Sequence, residues 1–156
     1  MRSRIARWSA GLLVVAIVAG VLWVYSHPPL RSNGGSWSTG GYWDMDTIDI
    51  YNTGRWPLRL TGITVDGERA FPPFAIAVAN FHSAEIASSA ARHIGEPGYQ
   101  LETGAVPGWR MEPEREIRHQ AYGVRLLKKP GAPPARVVIT YRYLGLPMKL
   151  VWEETR

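Results

Sequence analysis

The chain is 156 residues long, carries a formal net charge of +5 and contains no cysteine. This length accommodates one domain, and the lack of cysteine excludes disulfides, thiolate metal sites, a lipid anchor on cysteine and a cysteine nucleophile. Three of the 18 basic residues are Arg2, Arg4 and Arg7, which leaves 15 basic against 13 acidic residues from His27 onward. Because this small excess is scattered along the chain, we expect no nucleic-acid partner.

The N-terminal segment has the composition of a membrane span. From Trp8 to Tyr25 no side chain is charged, and as a helix these residues would be about 27 Å long, close to the roughly 30 Å hydrocarbon core of a bilayer. We therefore predict a transmembrane anchor over residues 8–26, with the lipid bilayer as partner. The arginines place residues 1–7 in the cytoplasm and the remainder of the chain outside it. A signal peptide cleaved after Ser26 is the alternative.

The next segment, residues 27–41, has the sequence HPPLRSNGGSWSTGG. Prolines, paired glycines and serines are typical of chain that stays solvated, so we predict a flexible linker. Its root-mean-square reach would be roughly 20 Å, enough to hold a small domain away from the lipid headgroups.

The body of the chain, residues 42–156, shows an alternation of apolar and polar residues with period two, which is typical of strands with one buried face. A change of parity at Thr61 and Gly62 predicts a β-bulge, and residues 144–147 predict a hairpin turn. With no βαβ rhythm, this pattern indicates a mainly β, antiparallel sandwich. The predicted strands lie at residues 47–51, 58–65, 74–79, 117–127, 137–143 and 148–153.

One segment breaks this pattern. Over residues 80–95 apolar side chains recur every four positions, Ser83 or Asn80 can cap the start of a helix, and Gly95 can end it. We predict one short helix inserted between strands.

The stretch YNTGRWPLRLTGITVDG, residues 51–67, reads as a corner between two strands. Asn52 to Gly54 form a turn in which we expect Gly54 to adopt positive φ, and Pro57 opens the next strand. The stretch resembles a corner of immunoglobulin-like sandwich domains in single-pass, membrane-anchored bacterial proteins of uncharacterised function. The resemblance covers residues 44–66 and, more loosely, the final hairpin. It implies an immunoglobulin-like scaffold and assigns no functional residue.

Motifs for catalysis and metal binding are incomplete. The acidic run from Asp44 to Asp49 lacks the glycine and the ligand spacing of a calcium loop. Ser38 lacks the first glycine of a nucleophile elbow, and the loop-like spacing from Gly62 to Gly67 is followed by Glu68, which would repel phosphate. We therefore expect no metal, no cofactor and no enzymatic activity, with an anchored hydrolase as a third alternative.

Aromatic side chains are the remaining candidates for a binding site. Tyr42, Trp43, Trp56 and Trp109 lie in or near glycine-bearing turns, where exposed rings could stack on sugars or instead cover the core or face a membrane. The sequence thus predicts a membrane-tethered extracytoplasmic module of the cell envelope, with a binding or structural role and another protein as its partner. A carbohydrate or cell-wall binding module that uses these aromatic loops is the alternative.

Overall fold

The structure is a computed structural model that describes residues 2–36, 45–81, 85–114, 121–127 and 136–153. Within these ranges the chain is mainly β, with one long N-terminal helix and one short inserted helix. The elements are α1 (Arg2–Ser26), β1 (Leu30–Ser36), β2 (Met45–Asn52), β3 (Leu58–Val65), β4 (Glu68–Arg69), β5 (Ala75–Asn80), α2 (Ala87–Ala90) with a 3-10 turn (Ala91–His93), β6 (Leu101–Ala105), β7 (Arg110–Met111), β8 (Ala121–Leu127), β9 (Arg136–Tyr143) and β10 (Leu146–Glu153).

The strands form two sheets in which every described pairing is antiparallel. The first sheet has the order β1-β2-β8-β5-β6, and the second has the order β10-β9-β3-β4 with β7 also paired to β3. The predicted antiparallel, mainly β class is therefore confirmed. We call the two sheets together the two-sheet domain.

Both sheets contribute to one hydrophobic core. Along β9 buried and more exposed side chains alternate, as the period-two pattern predicts. The first sheet contributes apolar side chains from β2 and β8, and the second contributes them from β3 and β9. The fully buried residues with the largest side chains include Leu30, Ile48, Leu58, Leu60, Met111, Val124, Val137, Ile139 and Tyr141.

Two local predictions in the second sheet are confirmed. The register between β3 and β9 shifts between Leu60 and Gly62, which is the predicted bulge. β9 and β10 form a hairpin whose two-residue turn is Leu144–Gly145. This hairpin brings the last long strand to the edge of the second sheet.

The segment predicted as a flexible linker contains a strand instead. Residues 30–36 form β1, which pairs with β2 from Leu30 opposite Asn52 to Ser36 opposite Thr47. Leu30 is fully buried, and the backbone of this edge strand pairs with β2 along its length. The composition of its side chains does not reveal such backbone pairing. Residues 37–41 lie outside the described residues.

The inserted helix is shorter than the prediction over residues 80–95. Among the residues of this range that the structure describes, only Ala87–Ala90 are α-helical. Asn80 is instead the last residue of β5, and its side-chain amide donates to the carbonyl oxygen of Glu85 at 2.9 Å. Ser83, the other predicted cap, lies outside the described residues. Gly95 has φ of +89°, which agrees with its predicted place after the helical segment.

The N-terminal helix α1 is 25 residues long and is followed after three residues by β1. The sequence predicts a membrane span over residues 8–26. Within α1 the side chains are described only from residue 11 onward. In the part of the chain described to that level, no helix is both long enough and apolar enough to cross a membrane.

Candidate functional site

The side chains of α1 are described from residue 11 onward, and the large apolar ones among them are exposed. They occupy successive positions along the helix and therefore lie on all of its sides, as the helical period of 3.6 residues requires. The more than half-exposed ones are Leu12, Leu13, Val14, Val15, Ile17, Val18, Leu22 and Trp23. Helices of soluble domains normally bury one such face, and an exposed apolar surface of this extent is typical of an interaction site.

The last turn of α1 is built into the two-sheet domain. Val24 is buried and belongs to the common core. The hydroxyl of Tyr25 donates to the carbonyl oxygen of Pro147 in β10 at 3.2 Å. The backbone amide of His27 donates to the carbonyl oxygen of Trp23 at 3.0 Å and closes the helix. The helix and the domain are thus joined by packing and hydrogen bonds.

Pro29 is the second part of this junction. Its carbonyl oxygen accepts hydrogen bonds from both the backbone amide and the hydroxyl of Thr53, each at 2.9 Å. Two residues after Thr53, Arg55 donates its backbone amide to the hydroxyl of Tyr143 at 3.1 Å. The turn between β2 and β3 therefore makes two contacts: one with the segment that follows α1, and one with the end of β9.

Asn52 organises this turn from inside the domain. Its side chain is almost fully buried. The side-chain oxygen accepts a hydrogen bond from the Gly54 amide at 3.0 Å. Its amide nitrogen donates to the carbonyl oxygens of Trp56 at 2.8 Å and Met111 at 3.4 Å. A buried amide with its oxygen and nitrogen both bonded fixes the backbone on either side of the turn.

Gly54 is required by close packing and not by its backbone conformation. It is not among the glycines with positive φ, so the positive φ expected from the sequence is wrong. A Cβ at this position would lie 2.8 Å from the Tyr143 hydroxyl and 2.9 Å from Cβ of Pro29. Only glycine fits between these two residues without displacing one of them.

Two large apolar side chains are exposed at this end of the domain. Trp56, in the β2–β3 turn, is 58% exposed, and Leu144, in the β9–β10 turn, is 57% exposed. Leu144 has φ of +52° and Gly145 has φ of +82°. Such paired positive values favour Asn, Asp or Gly and make leucine an unusual choice. We call this part of the domain the junction end.

A row of three arginines lies close to the junction end on the outer face of the second sheet. Arg59 in β3 is opposite Arg142 in β9 and opposite Arg110 in β7. All three are exposed. The Arg110 Nε atom pairs with the Glu112 carboxylate at 2.6 Å. We call these residues the arginine row.

The opposite end of the domain, which we call the distal end, presents a different apolar feature. The turn Phe71–Phe74 connects β4 and β5, and the Phe74 amide donates to the Phe71 carbonyl oxygen at 2.7 Å. The two phenylalanine side chains are 55% and 54% exposed. The turn precedes Ala75, which pairs with Leu126 at the end of the first sheet away from α1.

The predicted aromatic site residues have different environments. Trp56 is exposed at the junction end. Trp109 is half-buried and packs on Gly104, where a Cβ would overlap its ring. Its carbonyl oxygen also accepts the Leu60 amide at 2.8 Å, so the residue supports the sheet locally. Tyr42 and Trp43 lie outside the described residues.

A polar cluster on the outer face of the first sheet is explained by packing. The Asp49 carboxylate accepts the Ser88 amide at 2.7 Å and the Ser88 hydroxyl at 2.6 Å, which holds α2 against β2. Burial raises the pKa of the Asp49 carboxyl, and the two hydrogen bonds from Ser88 oppose that rise. Among the described residues no group of three or more His, Asp or Glu side chains could hold a metal ion.

Sequence reasoning marked Asn52 and Gly54 as corner residues but did not predict what they hold. The junction depends on Pro29 and Tyr143, which lie beside this turn in the structure but far from it in the sequence. A comparison with protein-family models finds no match, and a comparison with curated proteins finds no significant match.

Proposed function

We propose that the chain is a membrane-anchored, non-catalytic module of a cell envelope. In this proposal α1 is embedded in a bilayer and the two-sheet domain, as an immunoglobulin-like sandwich, is held directly at its extracytoplasmic surface. The observation that carries the proposal is the junction: a helix with apolar side chains exposed on all sides places one residue of its last turn, Val24, in the core of the domain.

The energetics favour an apolar environment for α1. Moving one large aliphatic side chain out of water contributes about 1.5–3 kcal/mol. Eight such side chains, counting Trp23, therefore contribute about 12–24 kcal/mol. The 25 residues of α1 would extend about 37 Å as a helix, and the arginines at positions 2, 4 and 7 favour the cytoplasmic side for its first residue.

The junction determines how the domain would be presented. A flexible tether would let the domain explore many orientations, whereas Val24, Tyr25 and Pro29 attach it to α1 through packing and hydrogen bonds. The junction end then faces the bilayer. The distal end lies about 25 Å farther out, since strands of eight residues rise about 3.3 Å per residue.

The Phe71–Phe74 turn supports another envelope protein as the partner. Two phenylalanines more than half exposed in one short turn are a costly feature on a surface that stays in water, and aromatic side chains are enriched where proteins bind each other. The turn is at the distal end, where a partner could reach it without contacting the bilayer.

Membrane anchoring is tested with matched valine substitutions. Val18 in α1 and Val151 in β10 are both exposed. Val18→Asp should reduce retention of the full chain in alkali-washed membranes, because a carboxylate inside a bilayer costs about 2.5–3.5 kcal/mol. Val151→Asp should leave retention unchanged. Release of the unmodified chain by alkali, or a mature chain that begins at His27, would contradict anchoring.

The protein partner is tested by photocrosslinking in living cells. A photoreactive phenylalanine analogue at position 71 or 74 should crosslink the same protein. The analogue at exposed Lys149, on the face of the second sheet, should not. Phe71→Ser with Phe74→Ser should abolish binding of the identified protein while leaving the thermal unfolding of the chain unchanged. Identical crosslinks from position 149 would show that the turn has no special role.

The carbohydrate alternative rests on one observation among the described residues, the exposure of Trp56. A single exposed ring can stack on a sugar, but Trp109 is less exposed than Trp56 and packs on Gly104. Protein binding is therefore the function that we propose.

A further inference from the structure

We propose that the junction end is a docking surface for anionic phospholipids. In this arrangement Leu144 and Trp56 reach the boundary of the acyl chains, and the arginine row lies among the lipid phosphates. The inference rests on the proposed function, because α1 must be in the same bilayer for the junction end to meet it.

Two turns of the same backbone geometry lie at opposite ends of the second sheet. Asp66–Gly67 connects β3 to β4 with φ of +50° and +89°, and Leu144–Gly145 connects β9 to β10 with +52° and +82°. The distal turn uses the Asp-Gly pair that this geometry favours. The junction turn instead has an exposed leucine. This residue is unfavourable there because its backbone is left-handed and because its apolar side chain is in contact with water.

The arginine row concentrates positive charge on one face of the second sheet. Arginines placed directly opposite each other on neighbouring strands repel each other, and Arg59 faces two of them. Glu112 neutralises part of the charge of Arg110. An anionic surface would remove the repulsion for Arg59 and Arg142, and phosphate groups suit the planar donor geometry of guanidinium.

The arginine row lies a short distance along the strand from Leu144. Arg142 is two residues from Leu144 in the chain, which corresponds to about 7 Å along the strand. The headgroup layer on each side of a bilayer is about 5–8 Å thick. With Leu144 at the edge of the hydrocarbon, the arginine row would therefore lie at the depth of the phosphates.

Trp56 fits the same boundary. Tryptophan is enriched where hydrocarbon meets headgroups, and Tyr25 at the end of α1 marks that level in the helix. The Trp56 backbone is fixed by the Asn52 amide at 2.8 Å, so its exposed ring is presented by a rigid turn.

The test uses the full chain reconstituted in vesicles and exploits its lack of cysteine. A bimane label on Leu144→Cys reports on the junction end, and the same label on Glu68→Cys, an exposed residue at the distal end, is the control. The vesicles contain phosphatidylcholine alone or with phosphatidylglycerol, and lipids brominated near the headgroup quench a label that touches the bilayer.

We expect quenching of the label at position 144 to increase with phosphatidylglycerol and to decrease with salt, and the label at position 68 to stay unquenched. Each arginine near an anionic surface changes the docking equilibrium about fivefold. Arg59→Gln with Arg142→Gln should therefore reduce the ratio of docked to undocked domain about 25-fold and abolish the effect of phosphatidylglycerol. Both side chains are exposed, so folding should be preserved, as near-ultraviolet circular dichroism would check.

Each outcome has a distinct meaning. Equal quenching at position 144 in both lipid mixtures, with the chain firmly inserted, would overturn the docking inference, leave the anchoring proposal intact and favour a protein as the occupant of this surface. If the label at position 144 is quenched equally with and without Arg59→Gln and Arg142→Gln, the arginine row does not bind the lipid headgroups. Failure of the chain to insert into either vesicle would overturn the anchoring proposal and the docking inference together.

Discussion

Gly54→Ala should disrupt the junction although it adds a single methyl group. The new Cβ would lie 2.8 Å from the Tyr143 hydroxyl, 2.9 Å from Cε2 of the same ring and 2.9 Å from Cβ of Pro29. Carbon atoms need about 3.5–4.0 Å. Because Pro29 is held by Thr53, the Tyr143 ring is the group that must move.

The magnitude follows from two contributions. Overpacking in a well-packed region costs about 1–3 kcal/mol. Movement of Tyr143 would also lengthen the 3.1 Å hydrogen bond from the Arg55 amide, whose net contribution is about 1 kcal/mol. The sum is a destabilisation of about 2–4 kcal/mol, which for a chain of this length lowers Tm by about 5–15 °C.

The assay is thermal unfolding of the full chain in a mild detergent, followed by circular dichroism. Gly62→Ala is the matched control, since its Cβ would meet only the Thr140 hydroxyl at 3.2 Å. Displacing that hydroxyl would cost at most its exposed hydrogen bonds with Thr61 and with the Gly62 carbonyl. The control should lower Tm by only a few degrees. Similar losses for the two alanines would refute the close approach of Gly54, Pro29 and Tyr143 as the reason for glycine.

Four further predictions concern the core, a buried phenol and the exposed turns. Ile139→Asp should abolish cooperative unfolding because it buries an unpaired carboxylate, whereas Arg142→Asp on the exposed face should change Tm little. Burial raises the pKa of Tyr141 to about 12, so the contribution of this phenol to stability should be constant below pH 10 and fall as the pH approaches 12. Tyr141→Phe should reduce this fall and leave the part that comes from Tyr122, whose pKa burial also raises. Glycan fragments should leave the tryptophan fluorescence unchanged; a change that Trp56→Ala abolishes would favour the carbohydrate alternative. Leu144→Asn should raise Tm in detergent by about 2–4 °C and weaken docking to anionic vesicles.

The sequence predicted the strands that bury one face. The alternating residues of β2, β3, β9 and β10 mark the side that meets the core, and the bulge at Gly62 follows from their change of parity. β1 and β6 were missed because they are edge strands of the first sheet, where backbone pairing to one neighbour suffices. Their sequences, LRSNGGS and LETGA, contain too few apolar residues to show a period.

The junction could be predicted only in part. Asn52 and Gly54 have the residue types of a turn, and that prediction rests on local chain geometry. Their partners are distant in sequence: the Thr53 hydroxyl reaches Pro29 across 24 residues, and the Arg55 amide reaches Tyr143 across 88. Contacts of this kind depend on how the two sheets pack, and no local pattern encodes them.

Leu144 illustrates why stability in water and function at a membrane should have opposite requirements. A left-handed backbone costs a residue such as leucine about 1–2 kcal/mol, and asparagine tolerates it better. In detergent Leu144→Asn should therefore stabilise the chain by about 1 kcal/mol. In vesicles with phosphatidylglycerol the same change removes the apolar tip, so hydrogen exchange at the amides of the turn should be faster than in the unmodified chain. Asp66→Asn, in the matching distal turn, should leave that exchange unchanged. Slow exchange at the Leu144→Asn turn in anionic vesicles would mean that the leucine does not contact lipid.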